Sequence, residues 1–426
     1  MDMKLDEAIA GRIAADHGLW RDFNDICDCG GRLAGTASEK RAFALLRERV
    51  RAASPANAGR SIPVAYGGWR AKTATLRLPG GTMAACHPLV RTIATARDAL
   101  TAEVIDLGRG TPDEFAEHAA EIKGRIVLVR HELMFAAGTI HRRRKYDMAR
   151  SHGAVGFLIA GPLAGHLVAG SSGREGGEGI PALGIAPETA ARLARRAGGW
   201  PSVTMTIETA EAPAETETLV YDYPGLSDEW VVLSAHVDGH DLAESAMDNG
   251  TGLASVLAVA RALSLLVAGF RRGLRVMFFS VEEWALTGSA QYVAALSETE
   301  RAKIALNVNL DSVAGSPNLA ALSSGYRGVE PFLLRVAEAN GQSLRTVRPL
   351  MTNSDHANFA AGGIPAIRLV AGFDDPTAHL RVVLTPADTR DKVAQSELRQ
   401  ATLLTAALVA AACNADPAEA ARWRTK

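Results

Sequence analysis

Cysteine is scarce in this chain of 426 residues: Cys27, Cys29, Cys86 and Cys413 are its only four, unevenly spread, which argues against a disulfide framework. Cys27-Asp28-Cys29 lacks the two-residue gap of common zinc pairs and reads as packing thiols. Excess charge of one sign is also missing, and a formal net charge of −1 gives no field to steer nucleic acid or an anionic membrane. No apolar run approaches the ~20 residues of a membrane span. The first residues, Met-Asp-Met-Lys-Leu-Asp-Glu, are acidic where a signal peptide needs a basic stretch, so a cytoplasmic protein is expected. No internal repeat is found.

What is present is globular in kind, with 47% hydrophobic and 22% charged residues, and the length suggests two or three domains. The first ~50 residues read as two helices joined by the loop around Gly31-Arg32. A strand over about 61–78 follows, with a turn at Pro79-Gly80-Gly81. From about 100 to 210 short apolar strands alternate with glycine-rich connections, suggesting a compact β-rich domain. The acidic stretch Glu211 to Thr218, which contains Pro213, reads as the linker that ends it. Beyond it a βα rhythm sets in: strand 230–236, helix 252–267, strand 274–281, helix 285–296, strand 304–310, an irregular loop, helix 329–340, strand 364–370 and a C-terminal helix over about 391–413. This predicts an α/β fold with a mainly parallel central sheet flanked by helices. The domain boundaries expected are 1–65 for N-terminal helices joining the catalytic domain, 66–212 for connecting strands plus the inserted β-rich domain, and 213–426 for the catalytic domain.

Polar residues gather where these strands end, the place where open α/β sheets build sites. His236 and Asp238 lie two apart, so their side chains can share a face. Asp248-Asn249 precede Gly-Thr-Gly and could be no more than a helix cap. Glu282 and Glu283 end a buried strand, where neighbouring carboxylates repel unless a cation or proton separates them. Asp311 ends a third strand. A divalent cation with a base beside it is the chemistry that such a set supports.

These motifs resemble the co-catalytic zinc aminopeptidases, a family that includes glutamate carboxypeptidases and glutaminyl cyclases. Gly31-Arg32-Leu33-Ala34-Gly35-Thr36 looks like its N-terminal signature, and residues of about 100–210 resemble the protease-associated domain inserted in many members. The segments at His236-Val-Asp238, Asp248-Asn249, Glu282-Glu283, Asp311-Ser312 and Ser354-Asp355-His356 match its core motifs in order and spacing. The resemblance implies that His236 and Asp311 hold one metal and that Asp248 bridges to a second, held also by Glu283. It makes Asp238 the carboxylate that fixes the ring of His236, and Glu282 the general base that activates water. Zinc is the metal implied, with manganese or cobalt as alternatives and one or two ions per chain.

The family's last ligand is a His in a His-Thr-Pro-x-Asp-Thr segment, and here that segment reads Leu384-Thr385-Pro386-Ala387-Asp388-Thr389. His379, His356 or His240 could substitute, the site could hold one labile metal, or it could be inactive. Asn249, His356, Tyr326 and Arg143 are the candidate substrate-binding residues. The run His141 to Lys145 reads either as a solvated face or as the source of an arginine that grips a substrate carboxylate. The loop Gly170–Gly179 lacks the Lys-Ser/Thr of a phosphate loop and reads as a cover over the site. The expected function is metal-dependent hydrolysis of a C–N bond in a small molecule or short peptide, in the manner of an aminopeptidase. Hydrolysis of a non-peptide amide or arylamine with a single labile metal is one alternative, and a non-catalytic binding or assembly role is the other. No nucleic-acid or membrane partner is expected, and a homo-oligomer is.

Overall fold

The computed structural model describes residues 3–96, 99–174, 176–196 and 198–426. The first two residues of the acidic N-terminal stretch, and Glu175 of the glycine-rich loop, lie outside them. Four parallel strands form the centre: Gly273–Phe279, Trp230–His236, Ile304–Leu310 and Ala366–Ala371, in that order across the sheet. Their near-continuous apolar runs are what a strand covered on both faces needs, and Val231, Val232, Leu233, Leu306 and Val308 are fully buried. Antiparallel strands close both sides, Ser202–Tyr223 on one and Leu319–Leu322 on the other, with Leu344–Val347 outermost. The helix Thr251–Leu263 packs against His17–Asp28 and the C-terminal helix Gln395–Asn414. This is the expected α/β sheet flanked by helices. Among the described residues no single helix is long and apolar enough to cross a membrane.

The stretch read as a linker is instead the middle of a strand. Glu211 to Thr218 lies within the 22-residue Ser202–Tyr223, paired antiparallel with Arg60–Arg77 from Trp69↔Glu211 to Ile62↔Thr218. Its acids and threonines alternate with period two, the strand signature. Thr216 Oγ1 reaches the buried Glu39 at 2.8 Å, and Glu217 meets Arg47 and Ser61. Pro213 stands opposite Gly67. These two long strands are the stalk of the inserted domain, whose short strands Leu100–Asp106, Ile126–Arg130, Gly156–Ala160 and Ala182–Ile185 run parallel over an apolar core of their own. The first ~50 residues form three helices instead of two, because Asp16 caps a new start at His17–Asp28 by accepting from Gly18 N at 2.7 Å. The irregular loop expected after Leu310 contains the strand Leu319–Leu322.

The Gly31-Arg32 loop joins the N-terminal helices to the sheet's working edge. Arg32 is fully buried and donates to four backbone carbonyls, those of Val237 at 2.8 Å, Gly30 at 3.1 Å, Glu244 at 2.7 Å and Ser245 at 2.7 Å. Gly31 is required by proximity, since a Cβ there would fall 1.8 Å from the carbonyl oxygen of His240. Gly31→Ala should therefore destabilise the chain by ~2–4 kcal/mol, an overpacking cost against backbone. Gly11→Ala, in the exposed helix Glu7–Ala14 with nothing near the added methyl, should stabilise by ~0.5–1 kcal/mol. Denaturant melts of the two variants should move in opposite directions, and equal midpoints would contradict this account.

Candidate functional site

Parallel register brings the ends of three strands to one edge, with His236 opposite Phe279 and Asp311 directly following Leu310. Glu282 and Glu283 follow their strand after Val281, a β-branched residue with φ of 52°, in the left-handed region that such side chains avoid. Asp248 lies in the connection to the helix Thr251–Leu263, and its peptide bond to Asn249 is cis. The ligand atoms of His236, Glu282 and Asp311 lie within 4.8 Å of one another. Nδ1 of His236 lies 2.9 Å from the carbonyl oxygen of Asp238, which suits an Nδ1–H donor and leaves the lone pair on Nε2. Nε2 is 3.1 Å from Asp248 Oδ1 and 3.6 Å from Asp311 Oδ1, yet it is buried without a hydrogen-bond partner, as is Oε1 of Glu283. An unpaired imidazole nitrogen crowded by carboxylate oxygens is a donor set for a divalent cation, and these residues fit one.

The electrostatics follow from burial. Burial pushes the Glu283 carboxyl up to about 8, with Asp248 adding to the rise. It raises Glu282 well above the carboxylate range, although His236 opposes the rise. Burial pulls the His236 imidazole down, but Glu282, Asp248 and Asp311 outweigh it and hold its pKa well above the ordinary value. Asp311 is the exception: burial would raise it, but the Arg368 guanidinium, 3.2 Å from its Oδ2, and His236 hold it well below the usual carboxylate range.

Several polar groups position the cluster without joining it. Asp238 acts on His236 through its backbone carbonyl, because its carboxylate accepts from the N–H groups of Glu282 and Glu283 at 3.1 Å each. The expected contact of that carboxylate with the ring is thus corrected, since Nδ1 lies 3.8 Å from its Oδ1. Asp388 accepts from Met247 N at 2.8 Å and Asp248 N at 3.3 Å, fixing the segment that presents Asp248.

The other sequence-derived candidates separate from the cluster. Asn249 is buried, its side chain donating to Leu310 O and accepting from Gly252 N and Ser312 N. It holds backbone and is not part of the cavity wall. Tyr326 is buried beneath Ala360, to whose carbonyl it donates at 3.3 Å, and is not part of the cavity. His356 is fully buried and also outside the cavity wall. Neither His379 nor His240 replaces the missing ligand at the cavity. His379 is exposed with Nδ1 2.7 Å from Lys392 O, and His240 is buried away from the cavity lining. Leu384 itself lines the cavity, buried, at φ of 63°.

Asp248, Glu282, Glu283 and Asp311 open into one cavity of about 270 Å³, walled also by Phe135, Ser171, Arg142, Arg143 and Arg368. Arg143 thus reaches the site, but the arginine buried there is its neighbour Arg142, only 4% exposed. Arg368 and Asp388 were missed as site residues in the sequence. The basic run flags Arg142 without distinguishing it from Arg143, whereas Arg368 sits in an apolar strand with no motif around it. The glycine-rich loop does border the site, with Ser171 in the wall and Ala169 N donating to Leu384 O at 2.7 Å.

Comparison with known proteins agrees with this geometry. Residues 218–409 match peptidase family M28 and residues 87–193 match the PA domain. The chain is 29% identical to probable leucine aminopeptidase 2 of Aspergillus fumigatus over 61% of this chain and 53% of that one, so it spans about half the length of that relative. It is 25% identical to aminopeptidase YwaD of Bacillus subtilis over 89% and 81% of the two chains. The fold matches that of BSAP, a zinc aminopeptidase from Bacillus subtilis, with a TM-score of 0.73, 22% identity and coverage of 93% and 95%. The part of the chain that carries the central sheet and the carboxylate-ringed imidazole is thus similar to peptidase family M28, and the inserted domain is similar to the PA domain.

Proposed function

We propose that the chain is a metal-dependent hydrolase of C–N bonds in small substrates, working in the manner of an aminopeptidase. The observation that carries this reading is the unpaired Nε2 of His236, surrounded by Asp248, Asp311 and Glu282, which line one cavity. His236, Asp311 and Asp248 would hold the cation, with Glu283 next to Asp248, and zinc suits a set of one imidazole and several carboxylates. When bound, the cation acts as a Lewis acid toward a carbonyl oxygen and lowers the pKa of water. Glu282 serves as general base: its buried carboxylate takes a proton from the attacking water and returns it to the departing amine nitrogen. Asp238 sets both partners of that step, the ring of His236 through its carbonyl and the backbone of Glu282 through its carboxylate.

Leu384 favours a single firmly held ion, because the wall beside Asp248 and Glu283 offers an isobutyl group where the resemblance expects an imidazole. It also favours the second reading, in which the substrate is a non-peptide amide or arylamine. Recognition of a free α-amine by paired ions is then not required.

Elemental analysis of zinc-loaded protein should give one equivalent per chain, rising toward two in Leu384→His; two equivalents in the parent chain would refute the single-ion assignment. Glu282→Gln should keep zinc and lose activity by about a hundredfold to ten-thousandfold. Activity undiminished in that variant, on amide and arylamine panels alike, would sink the hydrolase reading. The affinity for zinc should rise with pH up to about 8. Below that, Glu283 at about 8 and Glu282, whose carboxyl burial also raises, carry protons that the cation must displace, each costing about tenfold per pH unit. A competition titration from pH 6 to 9 that came out flat would show those carboxyls to be ionised already.

A further inference from the structure

Glu39 is a buried acid, 2% exposed, in the first turn of the N-terminal helix Ala37–Ala53. With Thr36 as the N-cap, Thr36-Ala37-Ser38-Glu39 has the spelling of a capping box, in which the glutamate turns back to the N-cap backbone N–H. Its carboxyl group is used otherwise. Oε2 accepts from Gly35 N at 2.7 Å, while Oε1 accepts from Thr216 Oγ1 of the long strand Ser202–Tyr223 at 2.8 Å and from Ser280 Oγ. All three of these donors are neutral. Burying an acid on neutral donors carries a desolvation cost that a solvent-exposed helix cap avoids, so the contacts it makes need a reason beyond the helix.

Ser280 supplies that reason. It directly follows the strand Gly273–Phe279 and stands before Val281 and the acidic pair Glu282-Glu283. Its hydroxyl is fully buried and is given to Glu39. Val281, next in the chain, has a φ of 52°, which a β-branched residue keeps only where its surroundings enforce it. Those surroundings come from distant segments: Val281 and Trp284 share a small apolar cluster with Leu33 and Ala34 of the Gly31-Arg32 loop and with Val64 and Trp69 of the strand Arg60–Arg77. Trp284 Nε1 also donates to the carbonyl of Gly67 in that strand at 3.1 Å. The acidic pair is therefore gripped from two directions. Asp238 takes its two N–H groups, and Glu39 takes the hydroxyl at the root of its turn.

We propose that Glu39 is a positioning residue for the acidic pair: by holding Ser280 it fixes the turn from which Glu282 reaches the attacking water and Glu283 the cation. The proposal rests on the hydrolase reading and adds a residue that touches neither substrate nor cation. Freed of Glu39, Ser280 no longer pins the turn, Val281 can leave the left-handed region, and both carboxyl groups move with it. Because the oxygen that holds Ser280 also holds Thr216, the acidic pair is set against the stalk of the inserted domain through one atom of the N-terminal helix.

The test uses Glu39→Gln, which keeps the volume and removes one acceptor oxygen, and Ser280→Ala, which removes only the donor, each in the full chain and below its melting midpoint. Both should weaken zinc binding in a competition titration by about tenfold to a hundredfold. On an aminoacyl anilide the zinc-loaded variants should lose kcat by a similar factor with KM little changed. The double variant should lose no more than the larger single loss, since both changes remove one contact. Additive losses, or a lowered melting midpoint with zinc affinity and kcat unchanged in the folded variants, would overturn the role of Glu39 while leaving the hydrolase reading in place. Zinc affinity lost in both variants of a parent chain that binds zinc but turns over no amide or anilide would support that role and sink the hydrolase reading instead. A parent chain that binds no zinc would overturn both.

Discussion

Bringing four carboxylates to one buried imidazole is the constraint on which this structure depends. Asp248, Glu282 and Asp311 are buried and share one cavity with the half-buried Glu283, and like charges that close cannot all stay ionised without a cation. The chain handles each in its own way. Asp311 has Arg368 against it, Glu282 faces the imidazole of His236, and Glu283 is raised to about 8. Only the guanidinium of Arg368 among these devices is a permanent charge. The remaining imbalance is what a divalent ion would relieve, so affinity for the ion and the cost of burying the acids have one origin.

The backbone around the cluster is correspondingly over-determined. Arg32 ties three carbonyls of the segment that leaves the strand Trp230–His236 to that of Gly30 in its own loop, Asp238 ties the two N–H groups of the acidic pair, and Asp388 ties those of Met247 and Asp248. Val281, Ser245 and Ser312 have positive φ at the same edge, conformations that persist where surrounding contacts enforce them. The Gly31-Arg32 signature is therefore a clamp on the loops beside the cluster, delivered from the far end of the sequence.

The parallel strands and their terminal acids were legible because burial on both faces writes itself as unbroken apolar runs, and because a polar residue ending such a run stands out. The segment from Glu211 to Thr218 misled for the opposite reason. Its strand is stabilised by pairing with Arg60–Arg77 and by contacts to Glu39 and Arg47, partners more than a hundred residues distant, while its composition is that of a linker. Asn249 reads alike in sequence as a helix cap or as a substrate contact, and in the structure its side chain is given to the backbone of Leu310, Gly252 and Ser312. Arg142 and Arg143 cannot be told apart until the phase of their helix is known; a step of one residue turns one into the wall of the domain and leaves the other half-buried.

Leu384 shows how a site can change chemistry without changing its frame. It has a left-handed conformation, its carbonyl is held by Ala169 of the glycine-rich loop, and Asp388 four residues on grips the segment of Asp248. With those backbone contacts kept, an apolar side chain at this position converts part of the wall from ligand to packing surface, beside Glu283 and within the cavity that Arg142 closes. The inserted domain and Leu384 thus contribute to the same cavity, one supplying positive charge and the other apolar surface. The guanidinium of Arg142 and the isobutyl group of Leu384 therefore meet the four carboxylates within one cavity.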